Sequence, residues 1–144
     1  MLKGISPLLS PELLLILAEM GHGDDIVIAD GNFPAETMGQ RVVRADGHGV
    51  VALLNAILPL FPLDDFVPDP AKVMQPVDPA TPTPPIWNEF QASIDRHETR
   101  PIPLTRLERF EFYDQAKKAY AVIATGETAI YANLILKKGV VRVS

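Results

Sequence analysis

Two spacings of apolar residues organise this chain. Leu13, Leu14, Leu17, Ala18 and Met20 recur on one helical face behind Ser10-Pro11-Glu12, a combination of cap, first-turn proline and acidic residue that opens helices. Gly21 is a natural stop. Ile26-Val27-Ile28-Ala29 then runs apolar without alternation and is β-branched, as a buried strand is. Arg41-Val42-Val43-Arg44-Ala45 is a weaker strand pattern, closed by the turn signal Asp46-Gly47. Val50, Leu53, Leu54, Ile57 and Leu58 predict a helix over residues 49–61, ended near Pro59. Val73-Met74-Gln75 reads as a short strand. Trp87, Phe90 and Ile94 predict a helix over residues 86–97, and a further helix is expected over residues 108–119. Residues 120–125 and 134–136 read as strands, and residues 140–143 as an edge strand.

Between these elements, residues 76–85 are rich in proline and read as a stiff extended loop. Asp64-Asp65 beside Phe66 looks like a surface turn. Helices alternating with strands predict an α/β fold with a mostly parallel sheet. A length of 144 residues suits one domain, 1–144, able to bury its own core.

Composition narrows the chemistry. No cysteine is present, so disulfides, thiolate metal sites and thiol catalysis are excluded. The balance of 13 basic and 18 acidic residues gives −5, a surface unsuited to nucleic acid. No apolar stretch is long enough to span a bilayer, and the first residues lack signal-peptide architecture. A cytoplasmic protein with no membrane or nucleic-acid partner is expected. Neither Gly-x-Gly-x-x-Gly nor a phosphate-loop Lys-Ser/Thr occurs, so a nucleotide site is not supported.

The candidate chemistry gathers around the first strand. His22 lies between Gly21 and Gly23. It suits either an accessible general acid–base or a histidine that satisfies a helix terminus. Asp30 follows the strand, where ligands bind in open α/β sheets. Asp24 and Asp25 read as solvated turn residues. Their spacing with His22 and Asp30 fits no metal motif, so no metal is expected. Arg109 opens a helix, where a cation is unfavourable; it requires either a specific ligand or a surface partner such as Glu108 or Asp114. Tyr131 and Asn133 supply neutral hydrogen-bonding groups suited to sugar hydroxyls, or form a plain turn. His48 and His97 read as structural.

These residues carry a family resemblance. Leu2-Lys3-Gly4, Leu9-Ser10-Pro11-Glu12-Leu13-Leu14, Met20-Gly21-His22-Gly23-Asp24, Asp30 with Asn32-Phe33-Pro34, and Arg44-Ala45-Asp46-Gly47 resemble the sugar mutarotase family of L-fucose mutarotase and D-ribose pyranase. The likeness resumes in Glu108-Arg109-Phe110-Glu111-Phe112-Tyr113, Lys117-Lys118-Ala119, Ala124-Thr125-Gly126-Glu127-Thr128, Tyr131 with Asn133, and Lys138-Gly139. It is closer to the fucose branch, although Ala132 stands where that branch has glycine, as in the ribose branch.

The resemblance implies a three-layer α/β/α fold and exchange of sugar anomers without a cofactor. It implies a homo-oligomer, from dimers up to a decamer, with sites near subunit interfaces. It implies His22 as proton donor, and Asp30, Arg109 and the Tyr131-Ala132-Asn133 turn as substrate-binding residues. A non-catalytic sugar-binding accessory of uptake, or a pyranase acting on D-ribose, stands as the alternative; a small hydrolase or metal enzyme is a third. Geometry adds a constraint. At about 3.3 Å per residue, a strand separates His22 from Asp30 by roughly 26 Å, more than a monosaccharide spans. Either the glycines fold His22 back, or two chains complete one site, which is the expectation favoured here.

Overall fold

A computed structural model describes residues 1–143. Six strands form one sheet in the order β2-β5-β1-β6-β3-β4, with β1 at Asp25–Ala29, β2 at Val42–Ala45, β3 at Ala71–Met74, β4 at Thr105–Leu107, β5 at Ala121–Thr125 and β6 at Leu134–Lys137. The β1–β5, β2–β5 and β3–β4 pairings are parallel. Only β6 runs against its neighbours, pairing antiparallel with β1 and β3. The sheet is therefore mostly parallel, with its single reversed strand at the centre.

Both faces of the sheet are covered. On one side α1 (Pro11–Glu19), α3 (Val50–Ile57) and α4 (Ile86–His97) bury Leu13, Leu53, Leu54, Phe90 and Ile94 against Ile26, Ile28, Ile123 and Leu136. On the other, α2 (Ala35–Met38) and α5 (Arg109–Lys118) bury Phe112 and Ala116 against Val27, Ala29, Val122 and Ile135. Successive strand residues point to opposite faces, and here each face meets a helix layer. That is why the central strands read as unbroken apolar runs rather than alternating ones. The result is the three-layer α/β/α arrangement.

Local signals set most boundaries. The Ser10 side chain accepts from the Leu13 N–H at 3.1 Å and caps α1. Glu108 caps α5 by accepting from the Phe110 and Glu111 N–H groups. The expected helix over 49–61 is α-helical only to Ile57 and tightens to a 3₁₀ turn at Leu58–Leu60, because Pro59 has no N–H to donate.

The edges differ from the sequence reading in three places. The strand placed at Val73 begins two residues earlier, at Ala71. Thr105–Leu107, between the prolines at 101 and 103 and α5, forms an edge strand that so short a run does not advertise. Residues 140–143 form no strand: pairing beyond β6 ends at the antiparallel Leu63–Lys138 bridge, where the Asp64 N–H donates to the Lys137 carbonyl and the Gly139 N–H to the Pro62 carbonyl.

Candidate functional site

The carboxyl end of β1 and the start of β6 are neighbours across an antiparallel pairing in which Ile28 faces Leu134. Continued past the strand ends, that register sets Asp30 opposite Ala132, with Asn133, one step before β6, beside it. The Asp30 N–H donates to Asn133 Oδ1 at 2.8 Å. The Asp30 carboxylate accepts in turn from the Ala132 N–H at 3.3 Å and the Asn32 N–H at 3.0 Å. Asp30 and Asn133 are both buried, at 5% exposure. Burial raises the Asp30 pKa above the ordinary aspartate value, and the hydrogen bonds from Asn32 and Ala132 pull against that rise.

The turn that delivers Asn133 is strained. Tyr131 has φ of 56°, the left-handed region, which costs a non-glycine residue about 1–3 kcal/mol. Two contacts hold it there. The Trp87 indole N–H donates to the Tyr131 carbonyl at 2.8 Å, and the Tyr131 hydroxyl accepts from the Val77 N–H at 3.1 Å. Reversal of the chain at Tyr131 is what aims the Ala132 N–H at Asp30. Ala132 itself is fully buried, so its contribution is a backbone donor and a packed methyl.

Asp30, Asn32, Phe33, Pro34, Met74, Tyr113, Ile130, Tyr131 and Asn133 line an open cleft of about 290 Å³, at the small end of ligand pockets. Its lining mixes polar groups with aromatic rings: the Phe33 and Tyr113 ring centroids lie 5.9 Å apart with the planes tilted at 51°. This pairing of hydrogen-bonding groups with apolar faces suits a polyhydroxylated ring.

Arg109 borders a second hollow of about 350 Å³ with Arg106, Glu108, Gln75 and Val77. The two hollows share no lining residue, but Val77 of the second is bonded to Tyr131 of the first. Glu108 does not pair with Arg109; it is engaged in capping α5. The Arg109 guanidinium lies 4.5 Å over the Phe110 ring, and its Nε is buried without a protein acceptor. Buried donors are normally satisfied, so this one is a candidate for a ligand oxygen.

His22 lies at the other end of β1. Gly23, at φ of 88°, turns the loop so that its own N–H donates to the Lys138 carbonyl at 2.8 Å. That turn holds His22 at the amino end of the strand and does not fold it towards Asp30. The His22 Nε2 lies 3.0 Å from Asp64 Oδ1, and its side chain is 43% exposed while that of Asp64 is 3% exposed. The same Asp64 oxygen accepts from the Phe66 N–H at 3.1 Å, and Arg100 donates to the Asp64 carbonyl at 2.7 Å. Asp64 is therefore a buried anchor for His22, not the solvated turn residue expected from the sequence. No local signal marks this, because the pair is 42 residues apart and the contact is made by the chain returning beside β6.

The other acidic residues near His22 are structural. Asp24 accepts from the Gly21 N–H and Asp25 pairs with Lys137 at 3.1 Å. His97 bonds the Ser93 carbonyl within α4. The sequence does not mark the cleft residues Phe33, Met74 and Tyr113 as site residues.

A doubly covered α/β sheet with a small polar cleft at the carboxyl ends of its strands defines a small-ligand-binding protein of the open α/β class. Among the described residues no helix is long and apolar enough to cross a membrane. The chain belongs to the RbsD / FucU transport protein family, which its residues 3–141 match. It is 54% identical to the fucose mutarotase of Homo sapiens, over 96% of this chain and 94% of that one. It is 50% identical to the L-fucose mutarotase of Actinobacillus pleuropneumoniae, over 97% of each. The structure matches the fucose mutarotase of Streptococcus pneumoniae in complex with L-fucose with a TM-score of 0.93 and 46% identity, covering 98% of this chain and 100% of that one. RbsD of Bacillus subtilis, complexed with D-ribose, shares the fold at a TM-score of 0.74 and 23% identity, over 99% of this chain and 100% of that one.

Proposed function

We propose that this protein is a mutarotase that interconverts the α and β anomers of L-fucose. The observation that carries this reading is the lock of Asp30, Ala132 and Asn133 beneath an aromatic-walled cleft of monosaccharide size. Its close similarity to fucose mutarotases over nearly the whole chain supports the choice of sugar.

The chemistry is one bond broken and remade. A proton passes to the ring oxygen as the anomeric hydroxyl gives one up. The bond from the anomeric carbon to the ring oxygen breaks and a carbonyl forms. Rotation about the adjacent carbon–carbon bond exposes the other carbonyl face, and the hydroxyl returns to it. In this scheme Asp30 accepts from sugar hydroxyls, and its fixed backbone donors hold the carboxylate in one orientation. Asn133 and Tyr131 complete the cradle, and Arg109 offers its free Nε–H to a sugar oxygen. His22 moves the proton, with Asp64 fixing the ring. A positioned acid–base group supplies about 10²–10⁴-fold, enough for a reaction that already proceeds in water.

His22 and Asp30 lie at opposite ends of β1, so in this scheme His22 is supplied by a second copy of the chain. The setting we propose is a cytoplasmic homo-oligomer, with each cleft closed by the His22 loop of a neighbour. Mixing a His22→Gln chain with an Arg109→Ala chain tests this. Regained activity in mixed oligomers supports a shared site; none, despite demonstrated subunit exchange, counts against it.

The absence of a histidine from the cleft within one chain favours one other reading, a non-catalytic sugar binder. Anomer exchange measured by NMR on L-fucose and D-ribose separates the two. Accelerated exchange that is lost in His22→Ala supports the enzyme. Tight binding without acceleration supports the binder.

A further inference from the structure

Phe66 is an exposed aromatic, 67% accessible, yet it is held firmly. Its ring centroid lies 4.7 Å from that of the His22 imidazole, with the planes inclined at 47°. Its N–H donates to Asp64 Oδ1, the oxygen that also holds His22 Nε2. Next to it, Asp65 receives both Arg142 nitrogens, at 2.8 and 3.2 Å, and the Arg142 guanidinium stands 6.0 Å over the Phe66 ring. One buried carboxylate thus fixes both the imidazole and the backbone of the phenylalanine beside it. An exposed aromatic ring held next to a candidate proton donor offers an apolar face to whatever that donor meets.

We propose that Phe66 is the residue that recognises the methyl group of the 6-deoxy sugar. The inference rests on the reaction proposed above. In L-fucose the methyl carbon is two bonds from the ring oxygen, through C5. An imidazole that protonates the ring oxygen approaches to about 2.6–3.2 Å. It therefore sits beside C5, and a ring packed on that imidazole meets the methyl. The other groups around His22 are already engaged: Asp64 holds the imidazole and Asp65 is paired with Arg142. The sugar hydroxyls would face Asp30 and Asn133, and the methyl would face Phe66. Each end of the substrate would then be read by matching chemistry from a different chain.

The test compares L-fucose with D-arabinose, which keeps the same ring configuration and lacks the methyl group. Anomer exchange is followed by NMR for the wild-type chain, Phe66→Ala and Phe66→Leu. Phe66→Ala is expected to lower kcat/KM for L-fucose by roughly tenfold, the scale of one methyl group in an apolar contact, and to change that for D-arabinose by less than about twofold. Phe66→Leu should recover most of the preference. Equal losses on both sugars would make Phe66 a support for His22 and overturn the inference, as would no loss on either. A wild-type protein that fails to accelerate exchange on L-fucose overturns the mutarotase reading itself, an outcome separate from the other two.

Discussion

At the carboxyl end of β1, Asp30 is buried and held by Asn133, Ala132 and Asn32. At the amino end, His22 is 43% exposed and held by a single buried acid, Asp64. The first group is fixed entirely by its own chain: a strained turn, an antiparallel register and three hydrogen bonds determine where the carboxylate points. The second is oriented but uncovered, with Phe66 beside it facing solvent. In the proposed reaction the difference separates two jobs. Binding a sugar needs a rigid polar floor, which one chain can build. Moving a proton needs a group aimed at the ring from the opposite side, and the opposite side of this cleft is open.

The largest effect is expected at the exposed end. His22→Asn should reduce catalysed anomer exchange by about 10²–10⁴-fold, while the thermal midpoint stays close to that of the wild type. A large loss of stability in this variant would show that the His22–Asp64 pair is structural and would blur the contrast. At the buried end, Asp30→Asn should weaken sugar binding by about 10–100-fold, the scale of hydrogen bonds to a charged group. Calorimetric titration with L-fucose checks it.

The same variant has a pH signature. Burial raises the Asp30 pKa in the folded chain, so the folded state holds this proton more tightly than the unfolded one. The stability contributed by Asp30 is therefore fully present below its unfolded pKa. It is lost as pH rises through the raised folded value. Asp30→Asn should gain stability relative to wild type across that window, as read by urea denaturation at a series of pH values. A difference independent of pH would remove desolvation as the dominant influence on this carboxyl.

Asn133→Ala should cost about 1–3 kcal/mol, because the buried Asp30 N–H loses its acceptor; equilibrium unfolding measures it. The smallest effect is expected at Ala132. Ala132→Gly should cost about 0.4–1 kcal/mol through added freedom of the unfolded chain, with little change in exchange on L-fucose. A selective gain on L-fucose over D-ribose would instead give the buried Ala132 methyl a part in sugar choice.

Much of this was legible from local chemistry. Ser10 capping α1, the unbroken Ile26–Ala29 run and the helical spacing of Trp87, Phe90 and Ile94 are short-range signals, and the structure forms those elements where they occur. Asp30 was legible as a candidate because it follows a buried strand. The edges were not. Thr105–Leu107 is a strand only because β3 lies beside it, and residues 140–143 are not one because pairing ends at the Leu63–Lys138 bridge. Asp64 looked solvated because its partner is 42 residues distant, and Phe66 looked like part of an ordinary surface turn for the same reason.

By itself the sequence determined which segments bury both faces, where α1, α4 and α5 start and stop, and which ionisable groups flank the first strand, since these depend on neighbours within a few residues. Only the tertiary structure decided what each group faces. The antiparallel insertion of β6 beside β1 placed Ala132 and Asn133 against Asp30, and the return of the chain after α3 placed Asp64 against His22. The physical reason is that a side chain's hydrogen-bond partners are set by strand order and register, and these emerge only when distant segments pack together.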